Sequence, residues 1–312
     1  MSVIVTGGAG FIGSNLVRAL VAQGHEVVVF DNLATTWSLK LIEDVADRIE
    51  FVHGDVRLPE DLERVGRRGF DRVYHLAASF ANELSMEHPT IDMRSNIEGT
   101  LNVLTMARRL GCGLFVYAGS SSSYGDVEVP FGEDSPSRPY TPYATSKHAG
   151  ENYVRSSGLP YAIFRLFNVY GPGDPPGRYR NAVPNMMAAL DRVDGKIRIF
   201  GREATRDFTY VDDVVRVLLE APCATDQVVN VGTGQETPIV ELARQILRLF
   251  DLPDSRLSFE APRAWDRVVR RVASVDRLRL LFGWTPSTPL ADGLRRAAQW
   301  MHAARYLQRE PR

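Results

Sequence analysis

Short apolar runs alternate with helical patterns over the first half of the chain. The runs are rich in Val, Ile and aromatic residues and end in small or turn-forming residues, which is typical of buried strands. The clearest helical pattern spans residues 94–110, where apolar residues recur at helical spacing. This alternation predicts a parallel sheet with helices on both faces and right-handed connections. The predicted strands are VIVTG (3–7), HEVVVF (25–30), RIEFVHG (48–54), DRVYHLAA (71–78), GLFVYAG (113–119) and YAIFRLF (161–167).

The pattern changes after residue 170, where the Pro/Gly-rich stretch GPGDPPGRYR (171–180) predicts an irregular connection. Shorter, mixed elements follow it. We therefore predict two domains, one over 1–170 and a smaller mixed α/β lobe over 171–312 that covers the carboxyl edge of the sheet, where ligands bind. Segments near 205–235 are candidates to return to the first domain. The pieces predicted in the lobe are helices near 181–191, 212–220, 237–250 and 289–303 and strands near 197–200 and 227–232.

Composition narrows the class of protein. The chain has 312 residues and a formal net charge of −1, so nothing indicates a nucleic-acid partner. Its two cysteines, Cys112 and Cys223, are too few for a disulfide framework and lack metal-ligand spacing. No apolar run approaches the roughly 18 residues of a membrane helix. The amino terminus enters a strand-like run at once, which leaves no room for a signal peptide. We expect a cytoplasmic protein without a metal site.

The stretch TGGAGFIG (6–13) places Gly7, Gly10 and Gly13 between a predicted strand and a predicted helix. Glycine suits the tight turn and the close approach of backbone to a pyrophosphate, and the helix N-terminus adds free N–H groups. Tight strand–helix turns also need glycine, so the motif alone is weak. Asp31, however, ends the next strand about 20 residues on, where an acid binds ribose hydroxyls and repels a 2′-phosphate. The pattern predicts a Rossmann-type, doubly wound sheet that binds NAD in preference to NADP.

Tyr143 and Lys147 lie four residues apart in PYATSK (142–147) and would share one face of a helix. Pro142 suits the first turn of that helix. A tyrosine is a poor base at its ordinary pKa of about 10, but a nearby ammonium and the positive ring of NAD⁺ favour the phenolate. Tyr143 could then take a hydroxyl proton while hydride leaves the adjacent carbon. Tyr/Lys pairs at this spacing are also common on protein surfaces.

Taken together, these motifs resemble the extended short-chain dehydrogenase/reductase superfamily, within its nucleotide-sugar epimerase and dehydratase branch. The resemblance continues through SNIEGTLNVL (95–104), FNVYGP (167–172) and RDFTYVDDV (206–214), and it covers nearly the whole chain. It implies a homodimer joined through the helices at 94–110 and 143–156. The cofactor contacts expected from the motifs and the resemblance are Gly7, Gly10, Phe11, Ile12, Gly13, Asp31, Asn32, Asp55, Val56, Leu76, Ala77, Ala78, Asn96, Tyr143, Lys147 and Phe167. Of these, Asp55 taken alone is more often a turn carboxylate.

The serine run in GSSSSYGD (119–126) bears on the reaction type. In the branch that the chain resembles, the third catalytic residue lies four positions before the Tyr-Gly, which is Ser120 here; a serine that only satisfies loop backbone is expected at Ser123 instead. Dehydratases of the branch usually carry Asp and Glu at the next two places, and decarboxylases carry Glu at the second. Ser121 and Ser122 stand there, and a hydroxyl cannot replace a carboxylate as a proton carrier near neutral pH.

The resemblance also implies residues that hold a nucleoside diphosphate-sugar. Arginines suit phosphate because they present paired donors, although a solvated surface charge is the ordinary alternative. PRAWDR (262–267) resembles an Arg-x-Gly-Asp element, but Trp265 replaces its usual Gly. Glu83 is an unusual carboxylate beside the expected sugar position, and it either faces solvent or selects an unusual sugar. The expected substrate contacts are Ser121, Ser122, Asn168, Asn181, Arg206, Arg263 and Asp266.

We therefore predict an NAD-dependent nucleotide-sugar epimerase, of the type that inverts C4 of a UDP-hexose, with Ser120, Tyr143 and Lys147 as catalytic residues. A 4,6-dehydratase, a decarboxylase or a reductase on the same scaffold is the alternative among enzymes. Ser121 and Ser122 argue against the first two, and the expected preference for NAD argues against the third. A protein that binds NAD as a sensor, without turnover, is the alternative outside enzymes.

Overall fold

The computed structural model describes residues 1–35, 39–66 and 69–311. Its helices are α1 (Phe11–Ala22), α2 (Pro59–Leu62), α3 (Asn82–Glu87), α4 (Pro89–Met93), α5 (Gly99–Arg109), α6 (Pro142–Arg155), α7 (Ala182–Ala189), α8 (Val211–Leu219), α9 (Ile239–Leu249), α10 (Asp276–Phe282) and α11 (Leu290–Ala303). Its strands are β1 (Ser2–Thr6), β2 (Glu26–Asp31), β3 (Ile49–His53), β4 (Arg72–His75), β5 (Leu114–Ser120), β6 (Tyr161–Leu166), β7 (Val169–Tyr170), β8 (Ile197–Phe200), β9 (Thr205–Arg206), β10 (Thr209–Tyr210), β11 (Gln227–Val231), β12 (Thr237–Pro238) and β13 (Leu257–Glu260).

Seven of the described strands form one sheet in the order β11-β6-β5-β4-β1-β2-β3. Every pairing within it is parallel. The strands predicted from the apolar runs are all present, and the Rossmann-type α/β fold is confirmed. The seventh strand, β11, comes from the 205–235 region and pairs with β6. The division into domains at residue 170 stays a prediction.

The sheet is covered on both faces because its strands are apolar on both sides. In β1, Val3 and Val5 pack into one cluster while Ile4 packs into the other, as the twofold alternation of strand side chains requires. Helices α1 and α8 cover the first face, and α5 and α6 cover the second. A separate apolar cluster joins α7, α9, α11 and β8 in the C-terminal part of the chain. No helix in the described ranges is long and apolar enough to cross a membrane.

Three features position α6, the helix predicted to carry Tyr143 and Lys147. The Thr141 hydroxyl caps its N-terminus by accepting a hydrogen bond of 3.2 Å from Ala144 N, and Pro142 occupies its first turn, as predicted. Gly150 faces Tyr117 of β5, and a Cβ at Gly150 would stand 2.2 Å from the Tyr117 hydroxyl. Only glycine therefore allows α6 to lie this close to the sheet.

A buried ion pair ties α6 to β6. Arg165 donates to Glu151 through Nε at 3.0 Å and through Nη2 at 2.5 Å. The two side chains are 5% and 1% exposed. Arg165 also donates to the Glu133 carbonyl at 3.1 Å, and its guanidinium lies 4.7 Å from the centroid of the Tyr124 ring. Each charged group of the pair therefore has hydrogen-bond partners that compensate for its burial, as a buried salt bridge requires.

We predict that Arg165→Met destabilises the protein by about 3–5 kcal/mol, because it leaves the Glu151 carboxylate buried without its cation. Urea denaturation followed by circular dichroism measures the free energy of unfolding. Arg295→Met is the matched control, since Arg295 forms an exposed pair with Asp292 at 2.8 Å and exposed pairs contribute little. Equal, small effects of the two substitutions would contradict the prediction.

Candidate active site

The loop after β1 has the geometry of a phosphate cradle. Gly10 precedes α1 without a side-chain cap, and the first turn of α1 holds no acidic residue. The first N–H groups of the helix and its positive dipole end are therefore free for an anion. A Cβ at Gly10 would meet only Gly7 O, at 3.3 Å, so the backbone there is open to an approaching group. The donor set fits the pyrophosphate of a dinucleotide.

The other two glycines of the loop are fixed by close packing. A Cβ at Gly13 would stand 2.1 Å from Gly7 O and 2.7 Å from Gly8 Cα. Gly7 has a φ of +73°, and a Cβ there would lie 2.6 Å from Ala77 N. These positions require glycine for the turn and for the packing of α1 against it. Phe11 and Ile12 begin α1 and are half-buried.

Asp31 ends β2 beside this loop. Its carboxylate accepts hydrogen bonds from Ala9 N at 3.0 Å and Leu33 N at 2.7 Å, and it is buried. Burial raises its pKa, against the effect of those backbone bonds. The structure thus places an acceptor-only group next to the phosphate cradle, where the ribose contact was predicted.

Asp55 and Asn32 lie together at the next sheet position. Asn32 Nδ2 donates to Asp55 at 2.9 Å, and Arg57 donates to the same carboxylate through Nε at 2.9 Å and Nη2 at 2.6 Å. Burial alone would raise the pKa of Asp55, but the hydrogen bonds from Arg57 and Asn32 lower it to about 2. Arg57 was not anticipated, because its contact with Asp55 arises from a local turn that the sequence pattern does not specify.

The remaining predicted cofactor contacts differ in how accessible their side chains are. Leu76, Ala77 and Ala78 follow β4 at the carboxyl edge and are half-buried. The Asn96 side chain is buried and bonded to Ser79 on both its oxygen and its nitrogen, each at 2.9 Å. Phe167 is fully buried in a cluster with Tyr124 and Phe131, so its side chain is enclosed by the protein. Val56 is likewise buried, with its Cγ2 2.7 Å from where a Cβ of Gly99 would stand.

Ser120 is the last residue of β5 and begins the turn formed by residues 121–124. Its hydroxyl accepts a hydrogen bond of 3.2 Å from Ser122 N. The Ser123 hydroxyl is buried and has no hydrogen-bond partner in the described part of the chain. The expectation that Ser123 rather than Ser120 satisfies the loop backbone is therefore wrong. The turn geometry, which the sequence does not reveal, places Ser120 at the capping position.

Tyr143 lies one helical turn before Lys147 on α6, which packs against β5. Burial raises the pKa of Tyr143 to about 12, while a hydrogen bond with Ser120 and the charge of Arg271 act to lower it. The Ser120–Tyr143 contact joins the end of β5 to the start of α6. The sequence predicted these two residues together, and the structure brings them together.

The Lys147 ammonium is buried over the face of Tyr117, with Nζ 4.2 Å from the ring centroid. Burial lowers its pKa to about 7, and the carboxylates of Asp92 and Glu151 act in the opposite direction. The expectation that Lys147 supplies a positive charge to Tyr143 stays a prediction. The structure adds Arg271 as a second cation near that phenol.

Asp92 belongs to this site although no sequence pattern pointed to it. It is 1% exposed and accepts hydrogen bonds from Ser146 of α6 and from Asn96 Nδ2, the latter at 3.0 Å. Asn96 also donates to the Ser146 hydroxyl at 3.0 Å. This closed network fixes the helical turn that carries Tyr143 and Lys147. An isolated Asp just before the helix predicted over 94–110 gives no signal of such a role.

Two predicted substrate contacts, Asn168 and Asn181, line one small cavity of about 40 Å³ together with Phe208. Asn168 Nδ2 donates to the Asp207 carbonyl at 3.1 Å, and Asn181 Nδ2 donates to Asp174 at 2.8 Å. Burial raises the pKa of Asp174 to about 7. The structure therefore brings the two amides together, as expected for residues that share a ligand.

The three charged residues predicted to grip phosphate fall into two places. Arg206 pairs with Asp266 through Nη2, at 2.9 and 3.0 Å, and donates through Nη1 to the carbonyls of Thr205 and Val269. Arg263 lies over two rings, with its guanidinium carbon 4.3 Å from the centroid of Phe200 and 5.4 Å from that of Trp265. Trp265, the departure from the expected glycine, thus packs on Arg263.

Glu83, whose role the sequence left open, is half-buried in α3, and its charge acts to raise the pKa of Tyr179. Arg271 is a residue that sequence reasoning missed. It is 6% exposed, and its Nη1 donates to the Ser122 hydroxyl at 3.5 Å. The sequence around it, RVVRRV (267–272), does not indicate which of its arginines is buried.

Comparisons with known proteins find relatives that match nearly the whole chain. A UDP-glucose 4-epimerase from Mycolicibacterium smegmatis is 34% identical over 311 residues, covering 96% of this chain and 98% of that protein. UDP-glucuronic acid decarboxylase 1 from Xenopus tropicalis is 32% identical over 96% of this chain and 71% of its own length. The structure of a UDP-glucose 4-epimerase from Thermus thermophilus in complex with NAD matches at a TM-score of 0.86 and 32% identity, covering 97% of this chain and all (100%) of that one.

The model of one family matches residues 3–232, which include the phosphate cradle, the Ser120 turn and the Tyr143–Lys147 helix. The chain belongs to the NAD dependent epimerase/dehydratase family.

Proposed function

We propose that this protein is a 4-epimerase that acts on a UDP-linked hexose. The observation that carries the proposal is the turn after β5, which packs against α6, the helix of Tyr143, and carries hydroxyl side chains at positions 120–122. Ser121 and Ser122 are buried in that turn. Neither can act as a carboxylate acid or base, so the arrangement favours a reaction that needs only one proton carrier at C4.

The residues proposed to hold NAD are those of the cradle and the two sheet ends beside it. Gly10 leaves room for the pyrophosphate, and Gly7 and Gly13 allow the tight turn that brings the backbone to it. Asp31 would offer its carboxylate to ribose hydroxyls. NAD held there would supply a hydride acceptor and donor for C4 of the sugar and a positive ring charge near the phenol.

The chain's own residues would manage the proton and the orientation of the sugar. In the proposed cycle the Tyr143 oxygen takes the C4 hydroxyl proton, with the Ser120 hydroxyl between them as a relay, and later returns it. With a pKa near 12 in the protein alone, Tyr143 starts as a neutral phenol at pH 7. Proton removal therefore needs more positive charge near the phenol than Arg271 supplies, and Lys147 is proposed to contribute it.

Arg206, Arg263, Asp266, Asn168 and Asn181 are proposed to hold the nucleoside diphosphate. Arg206 is already oriented by Asp266, so it presents a preformed guanidinium. The stacking of Arg263 on Phe200 and Trp265 fixes a second one. Both features support binding of a phosphate group without large rearrangement of the side chains.

We predict that Tyr143→Phe lowers kcat by about 10²–10⁴-fold, the usual contribution of a positioned acid–base group. The loss of one oxygen leaves the NAD cradle intact, so NAD affinity stays within a few-fold of the wild-type value. C4 epimerisation of UDP-glucose, UDP-galactose and their N-acetyl and uronic relatives is followed by chromatography. Tyr153→Phe is the control on the same helix. An unchanged rate in Tyr143→Phe would eliminate the proposed role of Tyr143 as acid and base. If the wild-type protein binds NAD but converts none of these substrates, the sensor alternative is supported instead.

The cradle is tested by Gly13→Ala. A methyl group 2.1 Å from Gly7 O forces the loop to move, so we predict about ten-fold or weaker NAD binding by calorimetry. Gly132→Ala is the control, because a Cβ there would meet only Ser135 Oγ, at 3.7 Å. NAD binding that is equally strong in the two variants would show that the loop does not hold the pyrophosphate.

A homodimer through α5 and α6 is also proposed. Leu101 of α5 and Tyr153 of α6 are 37% and 43% exposed, so each of these two helices has a large exposed hydrophobic side chain. Other exposed apolar side chains on the preceding helices are Met86, Ile91 and Met93. Large apolar side chains grouped in this way mark interaction surfaces more often than scattered ones do.

We expect sedimentation analysis to give a dimer for the wild type and a monomer for Leu101→Arg, since a charge in the proposed interface would be desolvated without a partner. The control is Leu280→Arg on α10, where the leucine is 83% exposed and lies outside this surface. A monomeric wild type, or dissociation by both substitutions, would contradict the proposed interface.

A further inference from the structure

Arg271 is a buried cation that forms no ion pair with any residue the structure describes. The side chain is 6% exposed, yet no ion pair involving it is present within the described ranges. Its Nε is buried and has no hydrogen-bond partner there. Its Nη1 reaches a neutral hydroxyl, that of Ser122, at 3.5 Å. Because an unpaired buried charge is costly, an arginine held in this way indicates a site for an anion.

The guanidinium remains charged at neutral pH. Burial, and after it the like charge of Arg206, lower the pKa of Arg271 to about 10. The charges of Tyr140, Asp266 and Tyr143 act to raise it. Of these groups, Asp266 is already paired with Arg206 at 2.9 Å. The nearby carboxylate is therefore engaged elsewhere, and Arg271 keeps its positive charge for a ligand.

The location of Arg271 indicates which part of a ligand it meets. It contacts Ser122, two residues beyond Ser120, and its charge lowers the pKa of Tyr143. Both neighbours belong to the place where the C4 hydroxyl of a sugar would lie under the proposed function. In a pyranose, C4 lies across the ring from C1, which carries the diphosphate, and C6 is attached to C5 beside C4. An anion at this end of the sugar is one carried on C6.

We propose that Arg271 binds the C6 carboxylate of the substrate, so that the sugar is a nucleotide-linked hexuronic acid. This assignment rests on the proposed function, which places C4 at Ser120 and Tyr143. Nε and Nη2 form one edge of the guanidinium and match the two oxygens of a carboxylate. The Ser122 hydroxyl, held by Nη1, would orient the guanidinium plane.

The test compares UDP-glucuronic acid with UDP-glucose on the NAD-loaded enzyme. In the wild type, kcat/KM and affinity by calorimetry should both favour UDP-glucuronic acid. Arg271→Gln should lower both for the uronic acid by about ten-fold or more, as expected for a lost charged hydrogen bond. For UDP-glucose it should change the calorimetric affinity by only a few-fold. Arg271→Lys should restore part of the preference and shows that the charge, not folding, is responsible. Arg270→Gln, at the adjacent exposed pair with Glu236, should keep the preference.

The outcomes separate this inference from the proposed function. Equal losses for UDP, UDP-glucose and UDP-glucuronic acid in Arg271→Gln would mean that Arg271 binds the diphosphate, and would overturn the assignment. A wild-type preference for neutral hexose would overturn it as well. In a third outcome, UDP-glucuronic acid binds more tightly by calorimetry, this preference depends on Arg271, and the enzyme releases CO₂ or forms no C4 epimer. That outcome would support the carboxylate contact and overturn the proposed epimerase activity.

Discussion

The burial of a phenol and an ammonium on one face of α6 is the constraint on which the rest of the site depends. Burial raises the pKa of Tyr143 to about 12 and lowers that of Lys147 to about 7. Both shifts disfavour the charged form. Arg271 opposes the shift of Tyr143, and Asp92 together with Glu151 of α6 itself opposes that of Lys147. The pKa values of Tyr143 and Lys147 are therefore set mainly by burial and to a smaller extent by nearby charged side chains.

Such a constraint requires that α6 be held firmly against the sheet. Ser146 binds Asp92 and Asn96 at the start of the helix, and Glu151 binds Arg165 in its middle. Gly150 lets the helix approach Tyr117. A Tyr and a Lys four residues apart occur on many helices. What distinguishes this pair is that these contacts hold its helix against the sheet, where burial shifts the pKa of both side chains.

The parts of the fold and the site that could be predicted are those set by local patterns. The parallel sheet follows from apolar runs that alternate with helical segments, and the cradle follows from glycines at a strand–helix turn. The Tyr143–Lys147 face follows from helical periodicity. Arg271 and Asp92 were missed because their roles come from contacts between distant segments: Arg271 meets Ser122 149 positions away, and Asp92 meets Ser146 54 positions away. The periodicity of hydrophobic residues in one sequence gives no information on contacts between segments so far apart.

The hydroxyl-only turn and the unpaired guanidinium are physically linked. A carboxylate at position 122 would lie close enough to Arg271 to form an ion pair with it, as Asp266 does with Arg206. Serines provide hydrogen-bond donors and acceptors without that charge. The two arginines thus differ in kind: one is paired by the protein and keeps a fixed orientation, while the other retains its full charge beside the phenol. Under the proposed function, a turn without acids would therefore both lack the proton carriers of elimination chemistry and leave Arg271 available to an anionic sugar.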